Sequence, residues 1–424
     1  MPLDATSDSE KSADTHNAEA HVKHGETAEP DIGSNRDDMQ TFRINESELP
    51  KGYFLSRFFI GTMAAICCNL AAAVGGFALL APILNQVNND IGPSGSILWV
   101  ALVYTITLAI GLVLVGRLSD LFGRRWFFIS GNFLGLIGCI VCATAKTVPV
   151  LIGGETLVGL AAATGASYPF VVGEIVPMKY RFITSSFVYL FQIPTSCMGP
   201  AVAYAFVLNT KQSWRWCYYY LIIWNAVALF LWTCFYFPPT FYMKHGNQSK
   251  LRFLKDFDYI GTGLFIAGIV LFLMGLSWGG SLYPWKSAHV IATIVVGLGT
   301  LIAFGFYESL ASLKEPFIPM HLFKRGPWVA TTMVIAICGG VFYAFAIVWP
   351  TMASTLYSRT GDSMYTGYIA TLIGSGITLG EIIGGLLARR IGKTKYQLMA
   401  TWLLASIFLG CESGLVHLFH KSSD

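Results

Sequence analysis

Gly116-Arg117-Leu118-Ser119-Asp120-Leu121-Phe122-Gly123-Arg124-Arg125 stands between two long apolar runs, and its reading decides the rest. Each neighbour is long enough to cross a bilayer, so the stretch is expected to be a turn at the water interface. Gly116 and Gly123 let the backbone turn tightly, Asp120 can cap a helix start, and Arg117, Arg124 and Arg125 hold the turn on the cytoplasmic side. A basic loop alone only sets topology, whereas the spacing G-x3-D-x2-G-R-R is specific. It returns at Gly385-Leu386-Leu387-Ala388-Arg389-Arg390-Ile391-Gly392-Lys393, where Arg389 takes the place of Asp120. A second copy between two apolar runs suggests a chain built from repeated halves.

Composition bounds the answer. The 424 residues are 54% hydrophobic, 14% aromatic and only 12% charged, which marks an all-α polytopic membrane protein. The net charge of +4 comes mainly from the turns between apolar runs, so it speaks to topology and not to nucleic acid. The nine cysteines fall in or beside apolar runs and read as small apolar fillers. Cys139-Ile-Val-Cys142 lacks the context of a redox or zinc site.

Residues 1–52 are too polar to bury a core and read as a disordered cytoplasmic tail, where His16, His21 and His24 are solvated. Eleven runs follow near 58–81, 96–115, 126–145, 148–171, 182–207, 216–237, 259–279, 288–307, 328–349, 365–388 and 397–418. Each can cross ~30 Å of hydrocarbon, and each must be helical because lipid offers the backbone no partner. With the tail inside, the inward turns carry Arg117, Arg124, Arg125, Lys179, Arg181, Lys244, Lys250, Arg252, Lys255, Lys314, Lys324, Arg325, Arg389, Arg390, Lys393 and Lys395. The outward segments hold fewer cations, namely Lys146, Lys211, Arg215, Lys286, Arg359 and Lys421. This bias places both turns in the cytoplasm and the N-terminus with them.

The two turns lie between helices two and three and between ten and eleven. The resulting division is an N-terminal six-helix half (53–237), a cytoplasmic linker (238–258), an inserted helix pair (259–307), a cytoplasmic loop (308–327) and a partial C-terminal half of three helices (328–424). The second half thus looks incomplete, and the chain truncated.

The first turn resembles the signature loop of the major facilitator superfamily, the large family of secondary transporters, and the offset between the copies resembles its fourteen-helix branch. Gly173-Glu174-Ile175-Val176-Pro177-Met178-Lys179-Tyr180-Arg181, Phe237-Pro238-Pro239-Thr240-Phe241, Asp256-Phe257-Asp258-Tyr259-Ile260-Gly261, Leu276-Ser277-Trp278-Gly279-Gly280 and Pro319-Met320-His321-Leu322-Phe323 together look like the fungal trichothecene efflux pump family. That resemblance covers nearly the whole folded part. It implies proton-coupled efflux of a small organic toxin or drug, by an antiporter at the plasma membrane or a vesicular or vacuolar one. A siderophore-iron transporter is the alternative, and a truncated, non-transporting membrane fragment is another. Many antiporters of the superfamily carry an arginine where Glu155 stands here, four residues before Gly159. Of the glycine string in their fifth helix only Gly199-Pro200 survives, with Thr195 and Ala203 where glycines would stand.

A carboxyl group in hydrocarbon is costly and marks function by default. Glu155 and Glu381 are the candidates for proton coupling, with Glu412 nearer a helix end. Asn69, Tyr104, Tyr168, Tyr189 and Gln192 lie well inside their runs and are candidates for the substrate path. Pro169, Pro194 and Pro200 free backbone carbonyls and are expected to bend helices four and five. No Walker loop or catalytic constellation stands out, so neither an enzyme nor an ATP-driven pump is expected, and no cofactor or metal. The expected partners are the lipid bilayer, protons and a small organic substrate.

Overall fold

The computed structural model describes residues 52–238, 257–280, 282–311, 318, 320–356 and 363–421. For Arg117, Asp120, Leu121, Phe122, Met320, His321, Ala353, Ser354, Leu356, Ser363 and residues 408–421 it describes the backbone alone. The tail with its histidines, most of the linker at 238–258 and the Glu412 side chain lie outside this description.

Eleven helical segments run through the described residues: α1 (Arg57–Ile91), α2 (Leu98–Phe122), α3 (Arg124–Ala143), α4 (Val148–Ile175), α5 (Arg181–Leu190, Ile193–Cys197 and Gly199–Asn209), α6 (Arg215–Phe235), α7 (Tyr259–Trp278), α8 (Ala288–Leu310), α9 (Gly326–Leu356), α10 (Ser363–Ile391) and α11 (Thr394–Lys421). Among the described residues, nine are long and apolar enough to cross a bilayer as single helices. The chain is a multi-pass membrane protein. Polar caps open several of them: Ser56 accepts from Phe59 N, Asp258 from Gly261 N and Ser287 from Val290 N.

Three expectations need correction. The stretch at 116–125 is not a loop, because α2 continues to Phe122 and only Gly123, at φ 93° and ψ 140°, breaks it before α3 begins. Gly116 and Asp120 therefore lie within a helix, and Asp120 is not the cap of α3; that position is Gly123, which has no side chain to cap with. The second copy behaves alike, with α10 running to Ile391 and Gly392 turning at φ 70°. Third, the run at 182–207 is not one helix. Pro194 has no N–H to give, and the backbone widens into a π-turn at Ile193–Cys197 before Pro200 opens the next piece. α4 is likewise interrupted at Ser167, ahead of Pro169.

Helices approach closely where small residues face each other. Gly165 of α4 meets Ala73 and the Asn69 backbone of α1, and a Cβ at Gly159 would run into Thr107 of α2. A Cβ at Gly61 would strike the Phe235 ring, which brings the start of α1 onto the end of α6. The α7–α8 pair packs through Gly268 on Leu301 and Gly297 on Phe272. α10 lies along all three pieces of α5: Gly385 is against Ser186, Gly374 against the Ser196 backbone and Gly367 against Tyr204. The buried core holds Trp214, Tyr218, Trp232 and Tyr236 around α6.

Candidate functional site

At the end of the bundle where α2 turns into α3, the signature arginines hold neighbouring helix ends. Arg124 forms a 3.1 Å ion pair with Glu174 and donates to the Phe170 carbonyl at 2.6 Å, both on α4. Tyr236 donates to the other Glu174 oxygen at 3.3 Å. Arg125 donates to Thr233 O at 2.9 Å, with its guanidinium 3.9 Å from the centre of the Phe237 ring. Arg124 binds a carbonyl inside α4, whereas Thr233 lies in the last turn of α6, where helix carbonyls lack partners, so Arg125 satisfies that end. Arg181 does the same for Gly173 and Val176.

The second copy comes to this same end. Tyr53 donates to Ile175 O, Phe54 packs edge-on against Tyr180, and the Arg389 guanidinium lies 5.7 Å from the centre of the Tyr180 ring. Outside the spans, burial pushes the Tyr53 hydroxyl pKa up. Gly385 faces Ser186, whose hydroxyl donates to Ile382 O at 3.2 Å. Lys393 follows the break at Gly392, at the start of α11. The side chains of Arg117 and Asp120 are outside the description.

The two candidate carboxyl groups occupy different surroundings. Glu155 is 1% exposed and points at α3 and α6, where Tyr218 donates to Oε1 at 2.8 Å and the Cys142 thiol stands 3.9 Å away. Its Oε2 has no hydrogen-bond partner among the described residues. Glu381 is half-buried on α10, one residue from the Ile382 carbonyl that α5 grips, and within electrostatic reach of Tyr168 and Tyr189. Those two rings pack edge-on at 5.9 Å. Tyr104 donates to Ala73 O of α1, and Gln192 is buried where its carbonyl anchors the π-turn. Asn69 is buried between α1, α4 and α6.

Sequence reasoning missed an apolar groove of about 670 Å³ between α1 and the first piece of α5, lined by Phe59, Met63, Cys67, Thr184, Phe187 and Phe191 among others. None of the five candidate path residues lines it. Its signal was present as four-residue spacing, at Phe59, Met63 and Cys67 and at Ile183, Phe187 and Phe191. In a membrane helix such stripes read equally well as lipid-facing. Toward the opposite end, Phe77 of α1 packs on Tyr104 of α2 at 5.7 Å and on Tyr343 of α9 at 4.9 Å. There Asp90 ties α1 to α6, accepting from Trp214 at 2.7 Å and Arg215 at 3.0 Å.

Residues 24–422 match the family model described as the fungal trichothecene efflux pump, TRI12. The chain is 32% identical over 395 residues to the trichothecene efflux pump TRI12 of Fusarium sporotrichioides, covering 91% of this chain and 65% of that protein. It is 31% identical over 384 residues to the pump of the same name from Trichoderma arundinaceum, covering 89% and 63%. The MFS-type transporter pydD of an Acremonium species is 26% identical over 360 residues, covering 84% and 60%. The chain therefore spans a little under two thirds of the length of these relatives.

Proposed function

We propose that this chain, which belongs to the fungal trichothecene efflux pump family, is a secondary transporter that exports a small organic compound in exchange for protons by alternating access. The observation that carries the proton claim is Glu381. It is an intramembrane carboxyl group on the helix that packs along α5, within electrostatic reach of the Tyr168–Tyr189 pair. Protonation removes a charge that is costly there. A gradient of protons then biases how α10 sits on α5, and so how the part of the chain from 328 onward rocks against the helices at 53–237.

Other features support the reading. Aromatic rings of α1, α2 and α9 close on each other toward one end, while the apolar groove lies by α1 and α5 at the signature end. The excess of Lys and Arg at the signature end supports a cytoplasmic position for it and for the N-terminus, and in that orientation the groove opens inward. A groove of this size and apolar lining suits a mostly apolar organic ligand, and the relatives are named for trichothecenes.

Inside-out vesicles with an acid interior are expected to accumulate a labelled trichothecene, and a protonophore is expected to abolish the accumulation. Uptake indifferent to the gradient removes proton exchange; no uptake by vesicles containing correctly inserted protein removes export of that compound.

A further inference from the structure

On the side of α1 turned away from the groove, Asn69 meets Asn225 of α6 across a small cavity inside the first six helices. Their exposures are 3% and 6%, and Ala72, Gly135, Val158 and Ala162 close the space. It is open to the centre of a water molecule over about 10 Å³. One water needs ~10–15 Å³ by that measure.

The polar groups around it are incompletely used. No protein atom among the described residues accepts from Asn69 Nδ2. Asn225 donates from Nδ2 to Leu221 O at 2.9 Å and to the Cys139 sulfur at 3.8 Å. Its Oδ1 lies over Gly135, where an added Cβ would stand 2.6 Å from it, so glycine keeps the space open. A buried amide left without a partner is costly. Purely apolar cavities stay dry, but one of this size walled by two asparagines is polar enough for a water.

We propose that the cavity holds one ordered water, which accepts from Asn69 Nδ2, donates to Asn225 Oδ1 and pins α1 to α6. A water both donates and accepts, so it serves either orientation of the two amides. At 3.6 residues per turn Asn69 lies opposite Ile60, which lines the groove. The water thereby holds the rotation of the helix that supplies one groove wall, and Asn69 is a joint within the bundle.

The test uses the purified full chain. Cys139 and Cys217 are almost equally buried, at 0% and 1%, but Cys139 stands beside the cavity. Brief X-ray radiolysis in ¹⁸O-water generates radicals at bound waters and is expected to oxidise Cys139 several-fold faster than Cys217. Equal rates overturn the proposal. Asn69→Leu is expected to lower the melting temperature by a few degrees, and Asn69→Leu combined with Asn225→Leu to recover much of that loss, because the second change removes the stranded acceptor. In a dry cavity Asn69→Leu instead removes an unsatisfied donor and raises the melting temperature, which also overturns the proposal. Should the variants not fold, the radiolysis of the native chain decides.

Discussion

Two glycines with the same role in the signature spacing have different physical jobs. Gly123 occupies φ 93° and ψ 140°, where a Cβ collides with its own backbone. Gly123→Ala is expected to cost about 1–3 kcal/mol. Gly116 is helical with open space around it, and Gly116→Ala is expected to be neutral or to stabilise by ~0.5–1 kcal/mol. Melting of the two variants in detergent separates them; equal losses would contradict this reading. The carboxyl groups divide in the same way. Glu155 contacts α3 and α6 within the first six helices, and the carbonyl oxygen of Glu155→Gln still accepts from Tyr218. Glu381 stands by α5. Glu381→Gln is expected to abolish the response of transport to a proton gradient while Glu155→Gln keeps it, as measured in vesicles with and without protonophore. The reverse result would move coupling into the interior of the first six helices.

At the scale of the helix, the contact between α5 and α10 makes the sharpest demand. A Cβ at Gly374 would overlap the Ser196 carbonyl, which is backbone held in the π-turn and has little freedom to yield. Gly374→Val is expected to cost about 1–3 kcal/mol through overpacking and to stop transport. Gly376, two residues on, has nothing within 4 Å, and Gly376→Val is expected to be tolerated. Both are read by thermal stability and vesicle uptake. Sequence reasoning could reach part of this. Pro194 and Pro200 announced a bend in α5 because proline removes a donor wherever it sits. The π-turn and its seat for Gly374 were not legible, since they depend on where the freed carbonyls find room against another helix.

Across the whole molecule, both signature turns lie at one end. Arg389 reaches Tyr180, Tyr53 reaches Ile175, and Arg124 reaches Glu174 beside it. Single cysteines at positions 125 and 393, in a background without other reactive cysteines, are expected to be labelled by an impermeant maleimide from one side of the membrane. Positions 211 and 286 are expected to be labelled from the other. Labelling of 125 and 393 from opposite sides would break the two-lobed arrangement and the transport scheme with it.

Hydropathy and the placing of Gly, Pro and basic residues suffice to show that the chain crosses a membrane as helices, though not that α2 runs on to Phe122 or that the fifth run is in three pieces. Lipid leaves a backbone no partner but its own, so an apolar run of sufficient length has one solution, and Gly, Pro and basic residues mark its ends. Which face of each helix turns inward was settled by packing in three dimensions. Between lipid and a helix bundle core there is almost no difference in polarity, so hydropathy carries little record of which way Asn69, Glu155 or Phe187 points. Close contact of small residues and the pairing of scarce polar groups made that choice. They turned Glu155 toward Tyr218, set Glu381 beside α5, and left the groove on a stripe that the sequence reads as ordinary membrane surface.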